Sequence, residues 1–268
     1  MTQEISTLAT EQIEPGPTAP DAVARPVLWR RTLAEALGTG LLVAIVVGSG
    51  IAAQNLSPDD VGLQLLQNSL ATTLGLAVLI AVLGPVSGAQ FNPVVTGMDW
   101  IIGRRDHSGV TASHGSTYVL AQLAGAISGA LLANAMFGVP AGLSTNERMT
   151  GPHLLAEVVA TTGLVLVILG LQHSGRTSWI PAAVGAYIGA AYWFTSSTSF
   201  ANPAVTVGRI FSDTFAGIAP SSVLPFVAAQ LVGGALGVLI AAALFPRTPV
   251  PQTESDGLTA ARQPEDTL

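Results

Sequence analysis

The chain has 268 residues, 49% of them hydrophobic and 10% charged, with a formal net charge of −6 and a mean hydropathy of +0.55. Soluble domains carry roughly 25% charged residues, so this composition excludes an ordinary soluble domain and points to the membrane. Cysteine is absent, which removes disulfides and thiolate metal sites, and lysine is absent too, so arginine supplies every basic side chain except histidine.

In chain order, residues 1–27 are polar and proline-bearing and lack the basic start, apolar core and small-residue cleavage site of a signal peptide. They are predicted to be a disordered cytoplasmic tail, as are residues 247–268. The single folded domain is expected over 28–246. A helix crossing a bilayer needs about 20 mostly apolar residues, and six stretches are predicted to cross: 32–53, 64–83, 118–137, 153–171, 179–194 and 223–245. The fifth is short and glycine-rich. With both tails inside, Arg25, Arg30, Arg31, Arg104, Arg105, Arg176, Arg247 and Arg262 fall on the cytoplasmic side, and only Arg148 and Arg209 fall outside. That bias predicts cytoplasmic termini.

Three elements recur in the same order. Ala34-Glu35-Ala-Leu-Gly-Thr39 resembles Ala156-Glu157-Val-Val-Ala-Thr161, and Phe91-Asn92-Pro93-Val94-Val95-Thr96 resembles Ala201-Asn202-Pro203-Ala204-Val205-Thr206. Ala121-Gln122-Leu123 with Gly125 and Gly129 resembles Ala229-Gln230-Leu231 with Gly233 and Gly237. The halves, about 28–137 and 152–246, each hold three spans. An odd number forces the second half to enter from the opposite side, giving an inverted repeat with its solute site near the midplane.

Each Asn-Pro pair follows a short polar run and precedes an apolar stretch too short to cross. This predicts two re-entrant half-helices, because irregular backbone at membrane depth survives only where it is buried in protein or lines a wet cavity. Asparagine caps a helix N-terminus, and proline suits the first turn, where its missing N–H is not needed. The Asn oxygen is expected to accept from the half-helix backbone, leaving its NH2 donors free to face a pore. Two half-helices meeting from opposite sides bring two positive dipole ends together, a place that repels cations and donates hydrogen bonds to neutral solutes.

On these residues the chain resembles the aquaporin family across nearly everything between the tails. The family's paired boxes appear as Asn92-Pro93-Val94 and Asn202-Pro203-Ala204, and its buried glutamates match Glu35 and Glu157. The resemblance implies six membrane helices plus two half-helices, an all-α membrane fold, and a homotetramer with one pore per subunit in the bacterial inner membrane. Two departures stand out. Val94 replaces the usual alanine and is expected to shift the half-helix contact. Val205 stands where the family usually places its selectivity-filter arginine, which implies a wider, more apolar constriction.

The other filter positions implied by the resemblance are Tyr192, Ser199 and Thr72, with Thr73 as the alternative to Thr72. A ring of Thr, Tyr, Ser and Val is uncharged and rich in hydroxyls. Arg209, one turn beyond Val205, is read as an exposed anchor or a partner of Asp213, with partial replacement of the filter charge as the alternative. The run from Ser199 to Thr206, followed by Asp213-Thr214-Phe215-Ala216-Gly217-Ile218, also resembles a bacterial subgroup associated with arsenic resistance, which implies arsenite as a solute.

Glu35 and Glu157 lie within spans, where an acid is costly and a role is the default. Holding the backbone of a re-entrant loop is the favoured role, with proton coupling as the alternative. Gln122 and Gln230 read as interhelical hydrogen bonding, and Gly125, Gly129, Gly233 and Gly237 as close-packing positions. His107, His114 and His173 are assigned to loops and His153 to a span end, without metal-ligand spacing. No nucleophile–base set or phosphate-binding loop is evident, so no enzyme, cofactor or nucleic-acid partner is expected. The expected function is passive passage of small uncharged solutes: arsenite, related metalloid acids or glycerol-like polyols. The alternatives are a water channel, an ion-coupled transporter and a non-conducting junction protein.

Overall fold

The computed structural model describes residues 26–104 and 109–245. The predicted tails lie outside the described residues apart from Pro26 and Val27, as do Arg25, Arg105, His107, Arg247 and Arg262. Every regular element among the described residues is helical: α1 Leu28–Leu56, α2 Val61–Ser87, α3 Pro93–Gly103, α4 Ala112–Phe137, α5 Gly151–His173, α6 Ile180–Phe194, α7 Pro203–Gly208 and α8 Pro220–Leu244. Short 3-10 turns cover Thr177–Trp179 and Arg209–Phe211.

Helices α1, α2, α4, α5 and α8 are each long and apolar enough to cross a membrane. The fifth predicted span, α6, has 15 residues, about 22 Å at the α-helical rise. The preceding 3-10 turn adds about 6 Å, bringing it close to the roughly 30 Å hydrocarbon thickness. The observed helices outrun their apolar cores because the caps sit in the polar flanks. Asp60, Thr111 and Thr150 accept from the backbone N–H of Leu63, His114 and His153 at 2.8, 3.2 and 3.3 Å. His114 and His173 thereby fall inside helix ends rather than in loops. Helix α2 leaves Leu63, Leu66, Leu70, Leu74, Val78 and Val82 exposed along one stripe, an apolar surface that suits lipid rather than water.

The tightest helix pairs are α1 with α4 and α5 with α8, the same pair in each half. Small residues set their spacing. A β-carbon at Gly129 would strike the Gly40 carbonyl, and one at Gly233 would lie 2.5 Å from the Val158 carbonyl. Without a hydrophobic driving force between helices in lipid, such backbone approach is the main source of packing energy. The half-helices cross over between halves: α3 touches α8, and α7 touches α4.

Gly129→Leu is expected to separate α1 from α4 and cost about 1–3 kcal/mol of overpacking. A thermal unfolding scan in detergent checks this: an unchanged midpoint would mean that the α1–α4 approach carries little stability.

Candidate functional site

Helices α3 and α7 begin at Asn92 and Asn202, which cap them. The Asn92 Oδ1 accepts from Val94 N at 2.9 Å, and the Asn202 Oδ1 accepts from Ala204 N and Val205 N at 2.9 and 3.2 Å. Each amide nitrogen then reaches across to the opposite loop. Asn92 Nδ2 donates to the Ala201 carbonyl, and Asn202 Nδ2 to the Phe91 carbonyl, both at 2.8 Å. This corrects the expectation that both NH2 donors stay free: one N–H of each amide cross-links the two loops, and one is left for the cavity.

The loops before the boxes are strained in matching places. Ala89 and Phe91 have φ of 47° and 48°, and Ser199 and Ala201 have 50° and 47°. Non-glycine residues in this region cost about 1–3 kcal/mol each and persist where surrounding contacts over-determine them. The contacts here are carboxylates. Glu35, fully buried, accepts from Ser87 Oγ and Gln90 N through Oε1 at 2.6 and 3.0 Å, and from Phe91 N and Gln122 Nε2 through Oε2 at 2.7 and 2.8 Å. Glu157, equally buried, accepts from Phe200 N at 2.9 Å, and from Ala201 N and Gln230 Nε2 at 2.8 and 2.7 Å.

The glutamines carry the clamp onward. Gln122 Nε2 donates to Thr96 Oγ1 at 3.0 Å and Gln230 Nε2 to Thr206 Oγ1 at 2.9 Å. Those threonines donate to the Asn92 and Asn202 carbonyls at 3.1 and 2.8 Å. Every carboxylate oxygen is thus occupied by a donor that fixes a loop or a half-helix.

Val94 departs from its counterpart Ala204, and the structure shows what accommodates it. A β-carbon on Gly234 would lie 2.5 Å from the Val94 Cγ1. The matching repeat position on α4 is Ala126, against which Gly208 packs. A glycine on α8 therefore makes room for the larger side chain at the first box.

A cavity of about 380 Å³ runs between the half-helices, lined from Pro26 and Arg31 on the side of the N-terminus to Arg209 on the other. Both asparagines line it, with Phe91, Val95, Leu76 and Leu164. Thr72, Tyr192, Ser199 and Val205 share its far end. Of the two candidate threonines, Thr72 lines the cavity, whereas Thr73 Oγ1 donates to the Ser69 carbonyl of its own helix at 2.7 Å. The Thr72 and Tyr192 hydroxyls lie 3.2 Å apart and bond one another, so that pair offers one proton rather than two.

Arg209 is neither exposed nor paired with Asp213. It is 2% exposed, its guanidinium carbon lies 3.5 Å above the Phe200 ring, and its Nε donates to the Ala216 carbonyl. Asp213 Oδ1 instead accepts from Thr145 N and Oγ1 at 2.8 and 3.0 Å. Sequence reasoning missed Phe200 as the platform for this side chain. It also missed Arg148, which donates to the Gly217 and Phe215 carbonyls at 2.8 and 2.9 Å and holds the loop beyond α7.

The family described as Major intrinsic protein matches residues 22–199. The chain is 50% identical over 207 residues to aquaglyceroporin AqpS of Rhizobium meliloti (strain 1021), covering 77% of this chain and 86% of that protein. It is 31% identical over 240 residues to a probable aquaporin TIP-type of Medicago truncatula, covering 84% and 91%. The X-ray structure of the aquaglyceroporin from Plasmodium falciparum superposes with a TM-score of 0.58 at 21% identity, covering 80% of this chain and 94% of that one, a likeness of fold.

Gly234→Ala is expected to collide with Val94 and destabilise by about 1–3 kcal/mol, while Val94→Ala in the same chain relieves it. A double-mutant cycle read by thermal unfolding measures the coupling; additive effects would mean the two sites do not share that space.

Proposed function

The chain belongs to the major intrinsic protein family and is a multi-pass membrane channel for water or small solutes rather than an enzyme, and from that premise we propose that it passes neutral hydroxylated solutes, arsenite and glycerol-like polyols, in preference to water alone. The observation that carries this is Val205. An apolar side chain, 5% exposed, follows directly after Asn202-Pro203-Ala204 in the cavity lining, where aquaporins usually hold a cation. Without a guanidinium at that level the ring has more room and an apolar wall, opposed by the Thr72, Tyr192 and Ser199 hydroxyls. Such a ring accepts a compact molecule with several hydroxyls and one less polar side. Arsenite near pH 7 is neutral and carries three.

The remaining assignments complete the proposal. Asn92 and Asn202 supply the amide donors at the narrow centre, Pro93 and Pro203 start the half-helices, and Glu35 and Glu157 keep the loops in register. The occupied carboxylates support passive flow over proton coupling, because a proton added to either would displace a backbone or amide donor. Arg30, Arg31, Arg104 and Arg176 lie at one set of helix ends, and Arg148 and Arg209 at the other. That bias supports cytoplasmic termini in a bacterial inner membrane. The exposed leucine stripe of α2 is offered to lipid or to neighbouring copies in a homotetramer.

Solute flux into proteoliposomes tests the reading, comparing arsenite, glycerol and water with and without a proton gradient. Fast, non-saturating entry of arsenite or glycerol that ignores the gradient is expected. Water flow alone would reduce the protein to a water pore, and dependence on the gradient would make it a coupled transporter. Val205→Arg is expected to suppress glycerol and arsenite flux more than water flux; equal loss of both, or no change in either, would count against placing the filter at Val205.

A further inference from the structure

We propose that Arg209 is the channel's own selectivity cation, displaced one helical turn from the position that Val205 occupies, and that with the Ser199 hydroxyl it binds solute oxygens while turning cations away. The inference rests on the channel reading and adds to it the residue that supplies charge.

The displacement follows from the backbone. The Arg209 N–H donates to the Val205 carbonyl, so the two residues stand one turn apart on the half-helix. The α-helical run ends at Gly208, whose missing β-carbon lets the backbone press on the Ala126 carbonyl of α4, and Arg209 opens a 3-10 turn. Both side chains reach the same cavity.

The way Arg209 is held leaves its head group available. Its Nε is committed to the Ala216 carbonyl and its plane to the Phe200 ring. Neither terminal nitrogen donates to a protein acceptor, and no carboxylate pairs with it, among the described residues. A guanidinium buried without a counter-ion is expensive, and a carbonyl with an aromatic face offsets only part of that cost. The purely structural alternative is a tie between α7 and the loop after it. The backbone already makes that tie through the Ile218 N–H to the Arg209 carbonyl, and Arg148, from the segment before α5, holds the same loop: its Nε and Nη2 donate to the Gly217 and Phe215 carbonyls, and it lines a separate polar pocket at the surface with Glu147, His153 and Asp213. Of Arg148 and Arg209, Arg209 is the one that lines the cavity between the half-helices.

A second, independent observation is Ser199. Its hydroxyl is buried, lines the same end of the cavity and has no hydrogen-bond partner within the protein. Buried hydroxyls are almost always satisfied, by solute or water if not by protein. Ser199 is held at φ 50° beside the backbone that Glu157 clamps, so its direction is imposed rather than relaxed. Arg209 and Ser199 together present several donors at the end of the cavity where Val205 presents none. A solute with more than one oxygen on one side matches that pattern, and a metal cation or hydrated proton meets a fixed positive charge.

The test uses the full chain in proteoliposomes, with glycerol influx and sodium and proton currents recorded side by side. Arg209→Gln is expected to raise the cation currents by about 10-fold or more, the scale of one unit charge acting across a few ångströms of water in the lumen, and Arg209→Gln with Val205→Arg is expected to restore exclusion. If the unaltered protein passes no solute, the channel reading fails and this inference falls with it. If it passes glycerol and Arg209→Gln excludes cations equally well, the inference alone is overturned. Should Arg209→Gln not insert, Arg209→Lys decides. A compact ammonium in place of the planar fork is expected to keep cations out while changing the glycerol-to-water permeability ratio about 3-fold or more, and an unchanged ratio overturns the inference.

Discussion

The pore depends on two buried carboxylates. Glu35 and Glu157 each gather backbone N–H groups from a loop that would otherwise leave them orphaned at membrane depth, where no water is present to take their place. Charge-assisted bonds of this kind are roughly twice as strong as neutral ones. That margin makes five left-handed non-glycine residues tolerable in the paired loops. With the loops fixed, each asparagine amide reaches a carbonyl of the opposite loop, and the starts of the two half-helices are tied together.

The two halves solve the same problem with the same parts. Glutamate, glutamine, threonine and asparagine form a chain in each, so each half-helix is oriented through bonds to three other elements rather than by packing alone. Such fully satisfied networks rigidify a core and specify one arrangement. The departures from symmetry are local and matched by neighbours. Val94 finds its room at Gly234, and α7 gives way to a 3-10 turn where α3 continues for 11 residues. The second departure changes the chemistry, because it carries Arg209 into the cavity lining.

Legibility differed by the range of the contact. Spans, half-helix starts and the inverted repeat were readable because each is a local pattern: about 20 apolar residues, an Asn-Pro pair after a polar run, or a motif repeated in order. The glutamates were readable because a charged residue inside an apolar run demands a partner. Arg209 was misread because helical periodicity puts it near Asp213 and says nothing of Phe200 folding beneath it. The asparagine amides were half misread because their acceptors, Ala201 and Phe91, lie more than a hundred residues away.

The membrane-spanning architecture, its inverted halves and the residues that cap the half-helices follow from the order of amino acids alone, since lipid forbids unsatisfied backbone and so leaves few ways to place such runs. Which donors remain for a solute, how Val94 is accommodated and the placing of Arg209 in the cavity wall were settled by the folded packing. Those outcomes turn on side chains brought together from distant helices, and a buried group's availability is set by what has already claimed its hydrogen bonds.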